Sequence, residues 1–226
     1  MRLARAILAG AALSCAFGAH AGRFFTDACR SLKPSSAKVT LHETPVVYSQ
    51  KYSVAELTRM TGSGAGRPTM GLTLSEKSGN VLGGGRGVRR ASRNFECRTF
   101  EIDIHLHLTD HRVFIARDFP RGSCLFDLVL EHENIHVGIN INMMRKAAAA
   151  LERHVNEQLT GVKAWGSPAD NIAWIQDFTR TKVLPAMEAH LNEIDRTHTH
   201  FDRPEITNLR PDACDGALRQ VGQPVE

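Results

Sequence analysis

The chain has 226 residues, with 28 Lys and Arg against 24 Asp and Glu and a formal net charge of +4. That length builds one substantial core or two small ones. A balance so near neutral excludes a nucleic-acid binder that works by neutralising phosphates.

Residues 1–21 form the first predicted element. Arg2 and Arg5 precede a short apolar run from Ile7 to Phe17, and Ala19-His20-Ala21 has the small-x-small pattern of a signal-peptidase site. The run is too short to span a bilayer comfortably. A cleaved secretory signal follows, with residues 22–226 as a single exported domain, periplasmic or secreted and with no membrane insertion. The competing reading, lipoprotein processing at Cys15, lacks the leucine usual before such a cysteine. Cleavage takes Arg2 and Arg5 with it, which leaves 26 Lys and Arg against 24 acids, a net of +2.

Cleavage also leaves four cysteines, Cys29, Cys97, Cys124 and Cys214. An even number in an exported chain predicts two disulfides, with three possible pairings. The preferred pairing is Cys97–Cys124 across one hairpin and Cys29–Cys214 between the termini. No C-x-x-C pair is present, so neither a thiolate zinc site nor thioredoxin-like chemistry is expected.

Residues 38–52 have strand character, broken by Pro45. Ser53 to Glu56 is a capping box that opens a short helix through Thr61. A strand is expected at Met70 to Ser75, then a Gly-, Ser- and Arg-rich loop or loose hairpin over 76–92 that carries Arg86, Arg89 and Arg90, with Arg93 just beyond it. From Glu101 to Thr109 apolar and polar residues alternate with period two. A turn at Asp110-His111 leads into a second strand, 112–117. His105 and His107 share one face of the first strand, an arrangement more typical of a solvated face than of a metal site.

From Ser123 to about Leu159 the pattern becomes helical, with Leu128, His132, Ile135, His136, Ile139 and Met143 on one stripe. Gly161 is the natural stop, and Gly138 leaves room for another backbone. Ser167 and Pro168 open a further helix, Pro185 should kink or break it, and Met187, Leu191, Ile194, His198 and Phe201 resume helical spacing.

The stripe contains His132-Glu133-Asn134-Ile135-His136, the pattern H-E-x-x-H. On a helix both imidazoles leave one face a turn apart, where they can grip one zinc ion, and Glu133 lies beside it as a general base. The alternative is that protein groups satisfy both imidazoles, since an unpaired buried polar group costs about 1–3 kcal/mol. Catalytic zinc usually has three protein ligands. Asn142 stands where the compact metzincin pattern has its third histidine, so the third ligand must come from a later element. If the 168–198 region folds back on the long helix, the candidates are Glu188, His190, Glu193, Asp195, His198, His200 and Asp202. His198 is preferred because it lies on the apolar stripe; His190 and Asp202 follow.

With these residues in place, the chain resembles the bacterial family of predicted secreted zinc-dependent proteases, a zincin group. The shared elements are a strand ending in tyrosine with a short capped helix (Tyr52 to Leu57), Gly71-Leu72-Thr73, Cys97 opening a hairpin, the long H-E-x-x-H helix and the pair Phe201-Asp202. The likeness spans roughly residues 38–208. It departs after Asp202, where Glu205, Thr207 and Asn208 replace the family's Thr, His and Gly.

The expected fold is α+β: a small, mostly antiparallel N-terminal sheet (38–120) packed on the H-E-x-x-H helix and a C-terminal antiparallel helix (123–202). The expected function is zinc-dependent hydrolysis of a peptide or protein substrate, with His132, His136 and His198 on Zn²⁺ and Glu133 as base. Tyr48, Tyr52, His105 or Arg112 would stabilise the oxyanion, Glu131 would either orient a ligand or stand as a solvated helix charge, and an edge of the 101–117 hairpin would take an extended peptide by strand addition. The rival is a non-catalytic, disulfide-stapled exported module that binds metal or a protein partner.

Overall fold

The computed structural model describes residues 23–63, 68–90, 93–203 and 207–221; the predicted signal segment lies outside them. The elements run α1 (23–30), β1 (Ser36–Glu43), β2 (Val47–Ser49), α2 (Val54–Thr61), β3 (Gly71–Arg90), β4 (Phe95–Ile115), α3 (Cys124–Leu159), β5 (Ala164–Gly166), α4 (Pro168–Phe178) and α5 (Leu184–Phe201). The α+β class is as expected, but the strand directions are not. β4 pairs with each of the other four strands. β2 runs parallel to it, Val47 opposite Arg112 and Ser49 opposite Phe114, while β5 is antiparallel, Cys97 opposite Trp165. The sheet is therefore mixed rather than mostly antiparallel. α2 and β3 intervene between β2 and β4, a connection long enough to bring the chain round into the same direction.

Two further local features differ from expectation. The expected hairpin at Asp110-His111 is one continuous strand, in which Asp110 takes a φ of 51°, a conformation aspartate tolerates. Burial switches there from even to odd positions: Leu106 and Leu108 are buried before it, His111 and Val113 after it. One extra residue shifts side-chain alternation in this way, so Asp110 acts as a bulge rather than a turn. The glycine-rich stretch expected as a loop lies inside the 20-residue β3. A Cβ at Gly85 would strike the Thr99 carbonyl, so glycine there permits close approach to β4 rather than ending the strand.

The chain divides into two compact units, each discontinuous in sequence. The first takes the described residues up to Lys38, those within Val81–Asp103 and Arg153–Val183. Phe100, Ile102, Val155, Leu159 and Phe178 are buried in it, and Trp174 stacks on Phe100 and on Phe178 with ring centroids 4.5 and 5.2 Å away. A disulfide joins Cys29 to Cys97. Ser167 caps α4 as expected, and Asp170 completes a capping box with it. The irregularity expected at Pro185 falls one turn earlier, as a π-helical segment over Thr179–Val183. Proline lacks an N–H and its ring crowds the carbonyl four residues back, which a widened turn relieves.

The second unit takes Val39–Asn80, Ile104–Glu152 and Leu184–Glu226. Leu57, Val113, Ile115, Val129 and Val137 lie at the centre of its core, with Ile104, Leu106, Met144 and Ile194 also buried. Ser53 and Glu56 make both bonds of the predicted capping box at α2. Cys124, the first residue of α3, is bonded to Cys214. Both disulfides thus differ from the expected Cys97–Cys124 and Cys29–Cys214. The hairpin that motivated the first does not exist, and with β4 continuous Cys97 lies on the strand segment that pairs with β5. Gly138 meets no closer neighbour than the Asn142 amide at 4.0 Å, so no backbone approaches there.

Candidate metal centre

The site lies wholly in the second unit, in a cleft of about 420 Å³ lined by Gly71 to Ser75 of β3, His132, Glu133 and His136 of α3, and His198 and Asp202 at the end of α5. His132, Glu133 and His136 are 6, 4 and 7% exposed, as their place on the apolar stripe predicts. Nε2 of His132 lies 3.1 Å from Nε2 of His136. A carboxylate oxygen of Asp202 closes the triangle, 2.8 Å from the His136 nitrogen and 3.4 Å from the His132 nitrogen. A tetrahedral ion with bonds near 2 Å sets its ligand atoms about 3.3 Å apart. His132, His136 and Asp202 are thus a group that could hold a metal ion.

Its partners assign the protons. His198 faces Oδ1 of Asn140 with Nε2, at 2.8 Å, and an amide oxygen only accepts, so that nitrogen carries the hydrogen. Nδ1 of neutral His198 is then an acceptor, and Nδ1 of His136, 2.7 Å away, must donate to it. Likewise Nδ1 of His132 donates to Oδ1 of Asn208 at 2.9 Å, while the buried Asn208 amide nitrogen has no hydrogen-bond partner. Both Nε2 atoms are left as bare acceptors facing a carboxylate. Three acceptors converge with no donor, an arrangement that a bound cation or a captured proton must relieve. The donor set of two imidazoles and a carboxylate fits a divalent transition-metal ion, zinc and iron(II) among them.

In the metal-free site a captured proton meets that demand, and with it His132 and His136 hydrogen-bond to Asp202. Burial pulls the His132 pKa down, but the Asp202 hydrogen bond and the Glu133 charge outweigh it and raise it. Burial opposes ionisation of Asp202, yet the hydrogen bonds with His132 and His136 hold it well below the usual carboxylate range. Burial, reinforced by the His136 and Lys77 charges, lowers His198 from 6.5 to about 4, so it stays neutral. Burial also raises Glu133, against a hydrogen bond that Thr73 donates to its Oε2 at 2.7 Å. A Cβ on Gly71 would come within 2.5 Å of Glu133 Oε1, so the bare backbone of β3 makes room for this carboxylate. Phe201 stacks on His132 at 5.0 Å and meets His136 edge-on at 5.2 Å.

The expected third ligand is thus displaced by one turn. His198 touches the outer nitrogen of His136, and Asp202, four residues on, takes the inward position. His200 and Glu188 are exposed, Glu193 pairs with Arg196, and Asp195 pairs with Lys77 at 3.0 Å. None of the four oxyanion candidates lines the cleft. Tyr48 donates to Asn134, Tyr52 packs on Phe114, His105 contacts His42 and Arg112 pairs with Asp110. Glu131 is exposed. The sequence assigns no function to Asn140, and Thr73, Thr207 and Asn208 enter it only through the resemblance, as a shared element and as departures from it. Asn140 carried a signal, since 132, 136 and 140 fall on one face at four-residue steps.

No family model matches the chain, and neither the curated proteins nor the solved structures contain a match.

Proposed function

We propose that this chain is an exported zinc metallopeptidase whose metal is held by His132, His136 and Asp202 and whose general base is Glu133. The convergence of three acceptor atoms beside a buried glutamate in an open cleft carries the reading. Zinc, when bound, supplies a Lewis acid and brings the acidity of water toward neutral pH. Glu133, its pKa raised by burial, takes the proton of the attacking water and passes it to the leaving amine. Thr73 holds one carboxylate oxygen, so the other addresses the cleft in a fixed orientation.

β3 is the natural place for a substrate, in place of the expected hairpin edge. β4 is interior to the sheet, whereas among the described residues β3 pairs only with β4, and its residues Gly71 to Ser75 line the cleft. An extended peptide laid along that edge gains main-chain hydrogen bonds beside Glu133. Two disulfides support export to an oxidising compartment.

Tag-free protein from such a compartment is expected to carry zinc and to cleave an unstructured protein such as casein. A chelator should abolish that activity and added zinc restore it. Protein that holds zinc and cleaves no peptide would instead be a metal-binding module, and protein without stoichiometric metal overturns the reading. Gly71→Ala, which pushes Glu133 aside, should keep the metal while kcat/KM falls about a hundredfold; steady-state kinetics beside a metal assay checks it.

A further inference from the structure

Three histidines that play no part in the cleft stand together on the sheet. His105 and His107 are two apart on β4 and share a face; His42 comes from β1. The His42 ring is close to parallel to both, within 24° of His105 with centroids 5.3 Å apart and within 13° of His107 with centroids 4.8 Å apart. Nε2 of His42 and Nδ1 of His105 are 3.0 Å apart. His107 is anchored separately, its Nε2 donating to Oδ1 of Asn80 at 3.1 Å.

Ring nitrogens 3.0 Å apart lie within the separation at which one ion takes both as neighbours in its coordination shell. In the metal-free contact one ring donates to the other nearly in line; an ion that takes both nitrogens displaces that proton and turns the exposed His42 ring so that both lone pairs face it. His42 is exposed, so water can complete the shell. The donors are neutral imidazoles with no carboxylate, a set that excludes magnesium and calcium and puts copper first among divalent first-row metals. We infer that His42 and His105 form a second, surface site for a copper-class divalent ion, with His107 fixing the plane of the His42 ring. This site is independent of the cleft and stands whether or not the protein is a peptidase.

The test is a Cu²⁺ titration of the tag-free chain, followed by calorimetry and electron paramagnetic resonance. Wild type should bind one more equivalent than H42A or H105A and show nitrogen couplings that both variants lose. H107A should keep the equivalent with about tenfold weaker affinity, and H154A, at another exposed histidine, should match wild type. H42Q and H105Q, which keep a polar side chain of similar reach, should behave as the alanine variants do, with melting temperatures equal to wild type. The inference is overturned if the His42 and His105 variants keep the wild-type stoichiometry, or if H154A loses an equivalent as well.

Discussion

Glu133→Gln should leave zinc in place and lower kcat/KM on a casein-derived peptide by about 100- to 10,000-fold, the contribution of one positioned acid–base group. The substitution keeps the shape of the side chain and an oxygen to accept the Thr73 hydrogen bond, so the cleft stays intact. None of the three converging atoms belongs to Glu133, so metal binding does not depend on it. Metal analysis and kinetics on the same preparation separate the two roles. Activity within a few-fold of wild type would remove Glu133 from the mechanism, whatever the metal content.

The second large effect distinguishes a ligand from the residue that orients one. Asp202→Ala removes one of three donors and should lower zinc affinity further than any other single change outside His132 and His136. His198→Ala removes the acceptor that fixes the His136 tautomer and should weaken zinc by about 10- to 100-fold, the range for partners behind a metal ligand. His200→Ala, at an exposed position, should change nothing. Competition with a chromophoric chelator measures all three. If His198→Ala releases the metal while Asp202→Ala retains it, the assignment is reversed.

The difference between those two residues marks where sequence reasoning stopped. His132, Glu133 and His136 were legible because a helix of fixed pitch converts their spacing directly into a shared face. His198 was preferred by the same logic, and it does face inward, but toward the outer nitrogen of His136. The inward stripe continues to Asp202, four residues on, at the very end of α5. Asn208 and Thr207 lie in a tail without periodicity, brought to His132 by tertiary placement alone.

The sheet was misread for a related reason. Alternation is clear within 101–109, whereas after Asp110 it resumes in the other phase only over His111 to Val113, before Phe114 and Ile115 are both buried. A phase change between two strand-like runs looks the same in sequence whether the chain turns or bulges. The Asp110 φ of 51° decides for the bulge, and with it the parallel β2 pairing and both disulfide partners change. Gly71-Leu72-Thr73, by contrast, entered as a point of resemblance and has a physical reason in the fold: glycine clears space for Glu133, and threonine two residues on donates to it.

Diffraction data collected on zinc-soaked crystals on either side of the zinc absorption edge test the central claim most directly. The predicted result is one anomalous peak in the cleft, bounded by Nε2 of His132, Nε2 of His136 and a carboxylate oxygen of Asp202, with His198 beyond the His136 ring. A peak coordinated by His198 in place of Asp202, or no peak between His132 and His136, would contradict it.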